Sequence, residues 1–170
     1  SSILVILAIT VLSVAPAVLL MMTSFTKIIV VLGLTRNALG LQNTPPNQVL
    51  AGLALFLSLF VMGPVLADVN TQGVQPYLNG RVSASVAFER GVVPLRGFMF
   101  DHTRSEELAL MTKAAHRPMP ADRSDVELTT LIPAFVLSEL KSAFIIGFVV
   151  FVPFLVIDLV VSASLMSMGM

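Results

Sequence analysis

Charged side chains are distributed very unevenly along this sequence. Residues 1–67 contain two of them, residues 128–170 contain three, and the other fifteen lie in residues 68–127. Apolar residues make up 56% of the chain and charged residues 12%, whereas a globular protein usually has about 25% charged residues. This apolar–polar–apolar layout favours a membrane or membrane-apposed protein over a soluble enzyme.

The first apolar block contains two runs of membrane-spanning length. Residues 3–22 would form a helix of about 30 Å, the thickness of the hydrocarbon layer. Pro16 is expected to kink or break that helix. The second run covers residues 49–67, and the preceding TPPN at 44–47 predicts a helix stop, because neither proline has an amide hydrogen to donate.

The last apolar block is predicted to be discontinuous. A third run covers residues 128–157, where Pro133, Pro153 and a pair of charged residues are expected to interrupt it. A fourth run begins at Leu159 and is too short to span a membrane. Together with the first block, this pattern predicts an all-α fold of membrane-associated, broken helices and helical hairpins.

The polar middle, residues 68–127, is predicted to be a mostly helical extramembrane insert. Its best helix by periodicity covers residues 98–115, and the two prolines and the charges of residues 116–125 predict a loop. Lys27 and Arg36 lie between the first two runs and are expected to face the cytoplasm, which places the insert on the other side of the membrane.

No catalytic, cofactor or metal motif is present. The sequence lacks cysteine and the glycine-rich phosphate-binding patterns. His102 and His116 show no zinc-binding spacing, and the nearby acidic residues read as a solvated helix face. The net charge of zero gives no indication of a nucleic-acid partner. We therefore expect no enzyme activity, no cofactor and no metal.

Glu139 and Lys141 stand out because an ionisable group in an apolar segment costs several kcal/mol unless it is paired or hydrated. On a helix they point about 200° apart and cannot pair with each other. Each must find water at an interface, or a partner on another segment or another chain.

The surrounding residues predict dense helix packing. Small residues four apart let helices approach closely, and they are Ser138 with Ser142 and Ala143 with Gly147. An aromatic stripe follows, consisting of Phe144, Phe148 and Phe151, and we expect it to belong to a packed core rather than to a ligand site. Methionines near the end could fill gaps in a bundle or line a deformable constriction.

Three stretches resemble the FliP family of flagellar type III export-gate proteins, known in injectisomes as SctR. They are MMTSFTKIIVVLGLTRNALG, PPNQVLAGLALFLSLFVMGP and LSELKSAFIIGFVVFVPFLVIDLVVSASLM, within residues 1–67 and 131–170, or nearly two thirds of the chain. The phrase PLRGFMFDHTRSEELALM is more similar to the flagellar branch than to the virulence branch.

This resemblance implies a non-catalytic subunit in a bacterial cell membrane, within the export apparatus of the flagellar basal body. Several copies, thought to be five, would form a ring with FliQ-like and FliR-like subunits around the entry of the secretion channel. Unfolded flagellar proteins would be the cargo. The resemblance also implies that the apolar helices are largely held in a protein-lined assembly rather than acting as simple membrane spans.

The resemblance also assigns residues. The candidates for a gasket that closes the pore are Met166, Met168 and Met170, and the family continues beyond that point, so the segment 128–170 is expected to be truncated. The expected contacts between subunits are Glu139, Lys141 and Asp158. Two alternatives remain: a small proton-coupled secondary transporter using Glu139 or Asp158, and the injectisome counterpart of the gate.

Overall fold

The computed structural model describes residues 2–169, and the side chains of residues 3–169, as helices with short connections. No strand occurs within that range, so the predicted all-α fold class is confirmed. The α-helices are, in chain order, α1 (Ser2–Met21), α2 (Phe25–Ala38), α3 (Asn47–Val69), α4 (Gln75–Leu78), α5 (Ala84–His102), α6 (Ser105–Ala114) and α7 (Leu128–Ser167).

The chain reverses between α2 and α3 at the predicted helix stop. α2 ends at Ala38, and α3 begins at Asn47, directly after the two prolines. Arg36 Nη1 donates hydrogen bonds to the Pro45 carbonyl at 3.2 Å and to Asn47 Oδ1 at 2.7 Å. This side chain therefore ties the end of one helix to the start of the next and stabilises the hairpin.

The polar middle follows α3 without a break in the helical backbone. A π-helical turn, Asn70–Val74, connects α3 to α4, and α5 then contacts both α3 and the π-helical turn. A Cβ added to Gly73 would lie 2.9 Å from Gly91 Cα on α5, closer than side chains tolerate. Because both positions are glycine, the two backbones can approach closely at this contact.

The helix predicted over residues 98–115 is wrong in its continuity. The chain breaks between α5 and α6, where Thr103 and Arg104 both adopt extended backbone conformations. The Arg104 backbone N–H donates to Ser138 Oγ on α7 at 3.0 Å, rather than to a carbonyl one turn earlier. A contact between distant segments therefore overrides the local helical pattern.

The loop predicted at residues 116–125 is confirmed, apart from one 3₁₀ turn at Arg123–Asp125. The guanidinium of Arg96 fixes the end of this loop to α5 by donating Nη2 hydrogen bonds to three backbone carbonyls. The acceptors are Arg123 at 2.8 Å, Ser124 at 3.0 Å, and Val126. The loop is thereby held where α7 begins.

The interruptions predicted in the last apolar block are wrong. α7 runs without a break through Pro133 and Pro153 and past Leu159. Pro16 likewise lies inside an unbroken α1. A proline removes one backbone donor and crowds the preceding turn, but the many remaining hydrogen bonds of a long helix carry it across that position.

The buried apolar core lies where α5, the end of the loop and the start of α7 meet the α1–α2 junction. Its members are Met22, Met99, Phe100, Val126, Leu131 and Phe135. These residues come from all three predicted segments, so the apolar blocks and the polar middle share one core. The core holds the first part of α7 in place beside α5.

Three stretches are long and apolar enough to cross a membrane: Ile3–Met21, Asn47–Leu78 and Leu128–Ser167. In the 18-residue apolar window that marks each stretch, the described residues bury none of the first window, 22% of the second and 6% of the third. Apolar surface on this scale requires lipid or other protein to cover it.

Candidate functional site

Glu139 lies inside α7 with only 1% of its side chain exposed. Its partner is Lys27 of α2, whose Nζ lies 2.6 Å from Glu139 Oε1. α2 runs alongside α7 in the same direction, since Lys27 meets Glu139 and Leu34 meets Gly147 further along both helices. One of the two charges in the first apolar block therefore pairs with a charge in the last.

The Glu139 carboxylate is incompletely satisfied. Neither of its oxygens receives a well-aligned hydrogen bond from the described residues, although Lys27 approaches one of them closely. Burying a charge pair costs desolvation energy that its mutual attraction only partly offsets, and removing one partner leaves an uncompensated charge. The pair therefore makes the α2–α7 contact depend on both charges.

Lys141 points to the other side of α7, toward α6. Its Nζ lies 2.9 Å from Glu107 Oε1 and 3.2 Å from Glu106 Oε2. The prediction that Glu139 and Lys141 do not pair with each other is confirmed. The hydrogen bond from Lys141 holds the pKa of the Glu107 carboxyl below its ordinary value, and burial of that carboxyl acts in the opposite direction.

Two serines predicted to pack closely take part in the same contact. Ser138 is fully buried, accepts from the Arg104 backbone N–H, and donates to the Ala134 carbonyl at 2.8 Å. Arg104 Nη2 donates to Ser142 Oγ at 3.3 Å. Both serines therefore join α7 to the chain just before α6.

The other two small residues lie on the opposite, α2-facing side of α7. Ala143 and Gly147 are both buried. A Cβ added to Gly147 would lie 2.2 Å from Leu34 Cδ1 and 2.9 Å from Leu34 Cβ. Only a residue without a side chain fits there, so Gly147 sets how closely α2 approaches α7.

The two cations expected to face the cytoplasm are both engaged within the chain. Lys27 is paired with Glu139, and Arg36 holds the α2–α3 connection. Loop cations indicate membrane orientation, but these two side chains have structural partners that explain their presence. The side of the membrane on which they lie stays a prediction.

Sequence reasoning missed a group of hydroxyls beside Lys27. Ser24 Oγ donates to Ser58 Oγ at 3.2 Å, and Ser58 Oγ donates to Thr23 Oγ1 at 3.3 Å. Ser24 and Ser58 are buried, so these bonds satisfy polar groups where α2 meets α3. The missed pairing of Lys27 had a visible signal: the charges of the first apolar block are both cations, and the last block contains the carboxylates Glu139 and Asp158.

The second half of α7 has a different environment. Asp158 is exposed and makes no salt bridge among the described residues. Met166 and Met168 are 70% and 74% exposed, and Met170 lies outside the described residues. The gasket and the contacts between subunits therefore stay predictions.

The aromatic stripe is not part of this chain's core, contrary to expectation. Its members, Phe144, Phe148 and Phe151, are 56%, 68% and 39% exposed. With Leu34 and Asn37 they border an open apolar hollow of about 610 Å³ beside α2. The periodicity correctly placed them on one face of α7, but that face is not covered within this chain.

The described residues form an all-helical, membrane-associated protein. Charged side chains within its apolar helices form ion pairs with neighbouring helices. Residues 2–169 contain no group of three histidine or acidic side chains arranged to hold a metal ion. A model of the FliP family matches residues 8–170. This chain therefore belongs to the FliP family.

Individual relatives agree over most of the chain. "Flagellar biosynthetic protein FliP" of Bacillus subtilis (strain 168) is 46% identical over 170 residues, covering 100% of this chain and 77% of the relative. The protein of the same name from Pectobacterium carotovorum is 56% identical over 155 residues, covering 91% of this chain and 60% of the relative. That from Aquifex aeolicus is 42% identical over 170 residues, covering 99% and 71%.

Proposed function

We propose that this chain is part of a structural subunit of the flagellar type III export gate. Its membership of the FliP family supports this role, since relatives similar over nearly its whole length are named flagellar biosynthetic proteins. The single structural observation that carries the proposal is the apolar surface of α1 and of the second half of α7, positions 148–167, where the described residues bury no side chain. Such helices require neighbouring protein or lipid.

The proposed neighbours are further copies of the same subunit, five in total, which form a ring together with FliQ-like and FliR-like subunits. The ring surrounds the entry of the secretion channel, in the cell membrane within the flagellar basal body, and passes unfolded flagellar proteins. The subunit performs no catalysis and needs no cofactor. Its contribution is the shape and closure of the channel.

Asp158 is the charge best placed to contact another subunit. It is exposed on α7 and has no salt bridge among the described residues, whereas Glu139 and Lys141 already have partners in the chain. Glu139 and Lys141 remain candidates for such contacts. Glu139 pairs with Lys27 where α7 meets α2, and Lys141 pairs with Glu106 and Glu107 where α7 meets α6. Met166 and Met168 are exposed on the same half of α7 and remain gasket candidates with Met170.

The role is tested by deleting the complete gene from a flagellated host and measuring motility and secretion of hook and filament proteins. Both are expected to be lost and to return when the complete gene is supplied. Secretion through any injectisome in the same host serves as the control and is expected to be unchanged. Normal flagellar secretion without the gene contradicts the proposal.

The assembly is tested by the mass of the detergent-solubilised complex. We expect a closed oligomer that grows when FliQ-like and FliR-like subunits are co-expressed. Asp158→Lys is expected to lower assembly, with Asp68→Lys as its control, because Asp68 is another exposed acid that makes no salt bridge among the described residues. Equal assembly of both variants contradicts the role of Asp158.

The transporter alternative is favoured by one observation, the buried Glu139 carboxylate with its incompletely satisfied oxygens. A monomer or dimer that moves protons with a small solute in reconstituted vesicles, and loses this activity as Glu139→Gln, would support that function. Oligomeric assembly with flagellar secretion, and no solute transport, supports the gate.

A further inference from the structure

Helix α6 is joined to the rest of the chain by non-helical segments at both ends. Thr103 and Arg104 precede it in extended conformations, and an irregular loop follows it. The helix has only ten residues. An isolated helix of this length is unstable in water, so its position depends on contacts with neighbouring elements.

The contacts between α6 and α7 at Lys141 are polar. Lys141 Nζ approaches both Glu107 and Glu106, and Glu107 is 10% exposed, whereas Lys141 is 45% exposed. The second oxygen of Glu107, Oε2, is buried without a hydrogen-bond partner among the described residues. Lys141 is therefore the cation that compensates a nearly buried carboxylate, and solvent or another molecule can reach it.

Apolar anchoring of α6 is comparatively weak. Leu108 is its one side chain that packs against the described core, and it is only partly buried. Leu110, on the same helix, is 55% exposed. By contrast, α5 contributes Met99 and Phe100 to the buried core itself. The free energy that holds α6 in place thus depends more on charge than does the free energy that holds α5.

We propose that the contacts of Lys141 with Glu106 and Glu107 form a releasable latch for α6. When the latch opens, α6 rotates about Thr103–Arg104 and leaves α7. Its departure moves the Arg104 guanidinium away from Ser142, while the Arg104 backbone N–H, which lies at the pivot, keeps its hydrogen bond to Ser138. This device does not depend on the proposed role in export, because it follows from contacts within one chain.

Hydrogen exchange of backbone amides tests the latch in the complete protein, purified in detergent. With Lys141→Met, amides of Ser105–Ala114 are expected to exchange about tenfold faster, the scale of one lost charge-assisted hydrogen bond. Amides of α5 and α7 are expected to keep their protection. Lys141→Arg is expected to retain slow exchange, because it keeps the charge.

Lys113→Met is the matched control, since Lys113 is an exposed lysine on α6 itself and makes no salt bridge among the described residues. It is expected to leave exchange unchanged. Glu107→Gln provides a second route, because it weakens the same contact while leaving α7 intact, and it is expected to loosen α6 selectively. The proposal is overturned if both Lys141→Met and Glu107→Gln leave α6 protected, or if α5 loses protection to the same extent as α6.

Discussion

The two halves of α7 are both mostly apolar, the second more so than the first, and they have opposite surroundings. All eight buried residues of the helix lie in its first twenty positions, 128–147, where α2, α5 and α6 contact it. None lies in positions 148–167. The more apolar half is therefore the half that the chain leaves uncovered and that other molecules must cover.

The two halves of α7 also differ in whether their charged side chains have partners within the chain. Glu139 and Lys141, in the first half, have partners on α2 and α6. Asp158, in the second half, makes no salt bridge among the described residues. Changes in the first half should therefore alter the stability of the isolated chain, whereas a change at Asp158 should leave that stability nearly unaffected.

The largest expected effect comes from Lys27→Met. Because it leaves the buried Glu139 charge without its partner, we expect the free energy of unfolding to fall by about 3–5 kcal/mol. Denaturant unfolding in detergent measures this loss. The double variant Lys27→Met with Glu139→Gln removes both charges and should recover most of it; a single variant as stable as the original chain would rule out a structural role for the pair.

Gly147→Ala is expected to have the next largest effect. The new methyl group would meet Leu34 at 2.2 Å, so α2 or the side chain must move, at a cost of about 1–3 kcal/mol. Gly63→Ala is the matched control in α3, where no atom of another element lies within 4 Å of the added Cβ. If both variants unfold alike, the closeness of α2 and α7 at Gly147 does not limit stability.

Low pH should weaken the contact between α6 and the first half of α7. Since the folded pKa of Glu107 lies below its ordinary value of 4.5, its contribution is fully present above that value. The contribution declines as the pH falls below it and is lost once the pH passes the lower, folded value. Hydrogen exchange of α6 between neutral pH and pH 3, corrected for intrinsic rates, measures this loss. Lys141→Met should flatten the dependence, and an equally steep profile would assign it to other groups.

The smallest expected effect belongs to Asp158→Asn. In the isolated chain we expect the free energy of unfolding to stay within about 0.5 kcal/mol of the original, because no salt bridge is lost. The same substitution should still lower the yield of the assembled oligomer. A large loss of stability in the isolated chain would mean that both halves of α7 are packed internally.

Local patterns in the sequence predicted much of the fold. The helical class, the stop before Asn47 and the loop after α6 all follow from composition, periodicity and proline chemistry. The divergence of Glu139 and Lys141 follows from the 100° turn of each helical residue. These features depend on neighbours in sequence, which a single chain displays directly.

The break after α5, which was predicted incorrectly, and the partner of Glu139, which was not identified, both depend on contacts between distant segments. The break at Arg104 depends on Ser138, thirty-four residues away, which accepts its backbone hydrogen bond. The pairing of Lys27 with Glu139 joins the two apolar blocks. Periodicity within a short window contains none of this information. The interruption predicted at Pro133 is wrong for a local reason, because the proline removes one backbone donor from a helix that retains its other hydrogen bonds.

The length of α7 has a consequence for where its charges reside. Forty helical residues extend about 60 Å, roughly twice the hydrocarbon thickness of about 30 Å. A typical tilt of about 20° shortens the projection only slightly. When positions 148–167 cross the bilayer, the Lys27–Glu139 pair lies beyond the lipid tails and Asp158 lies near the bilayer midplane. The internally paired charges then avoid lipid, and the carboxylate at the greatest depth is the one that depends on another molecule.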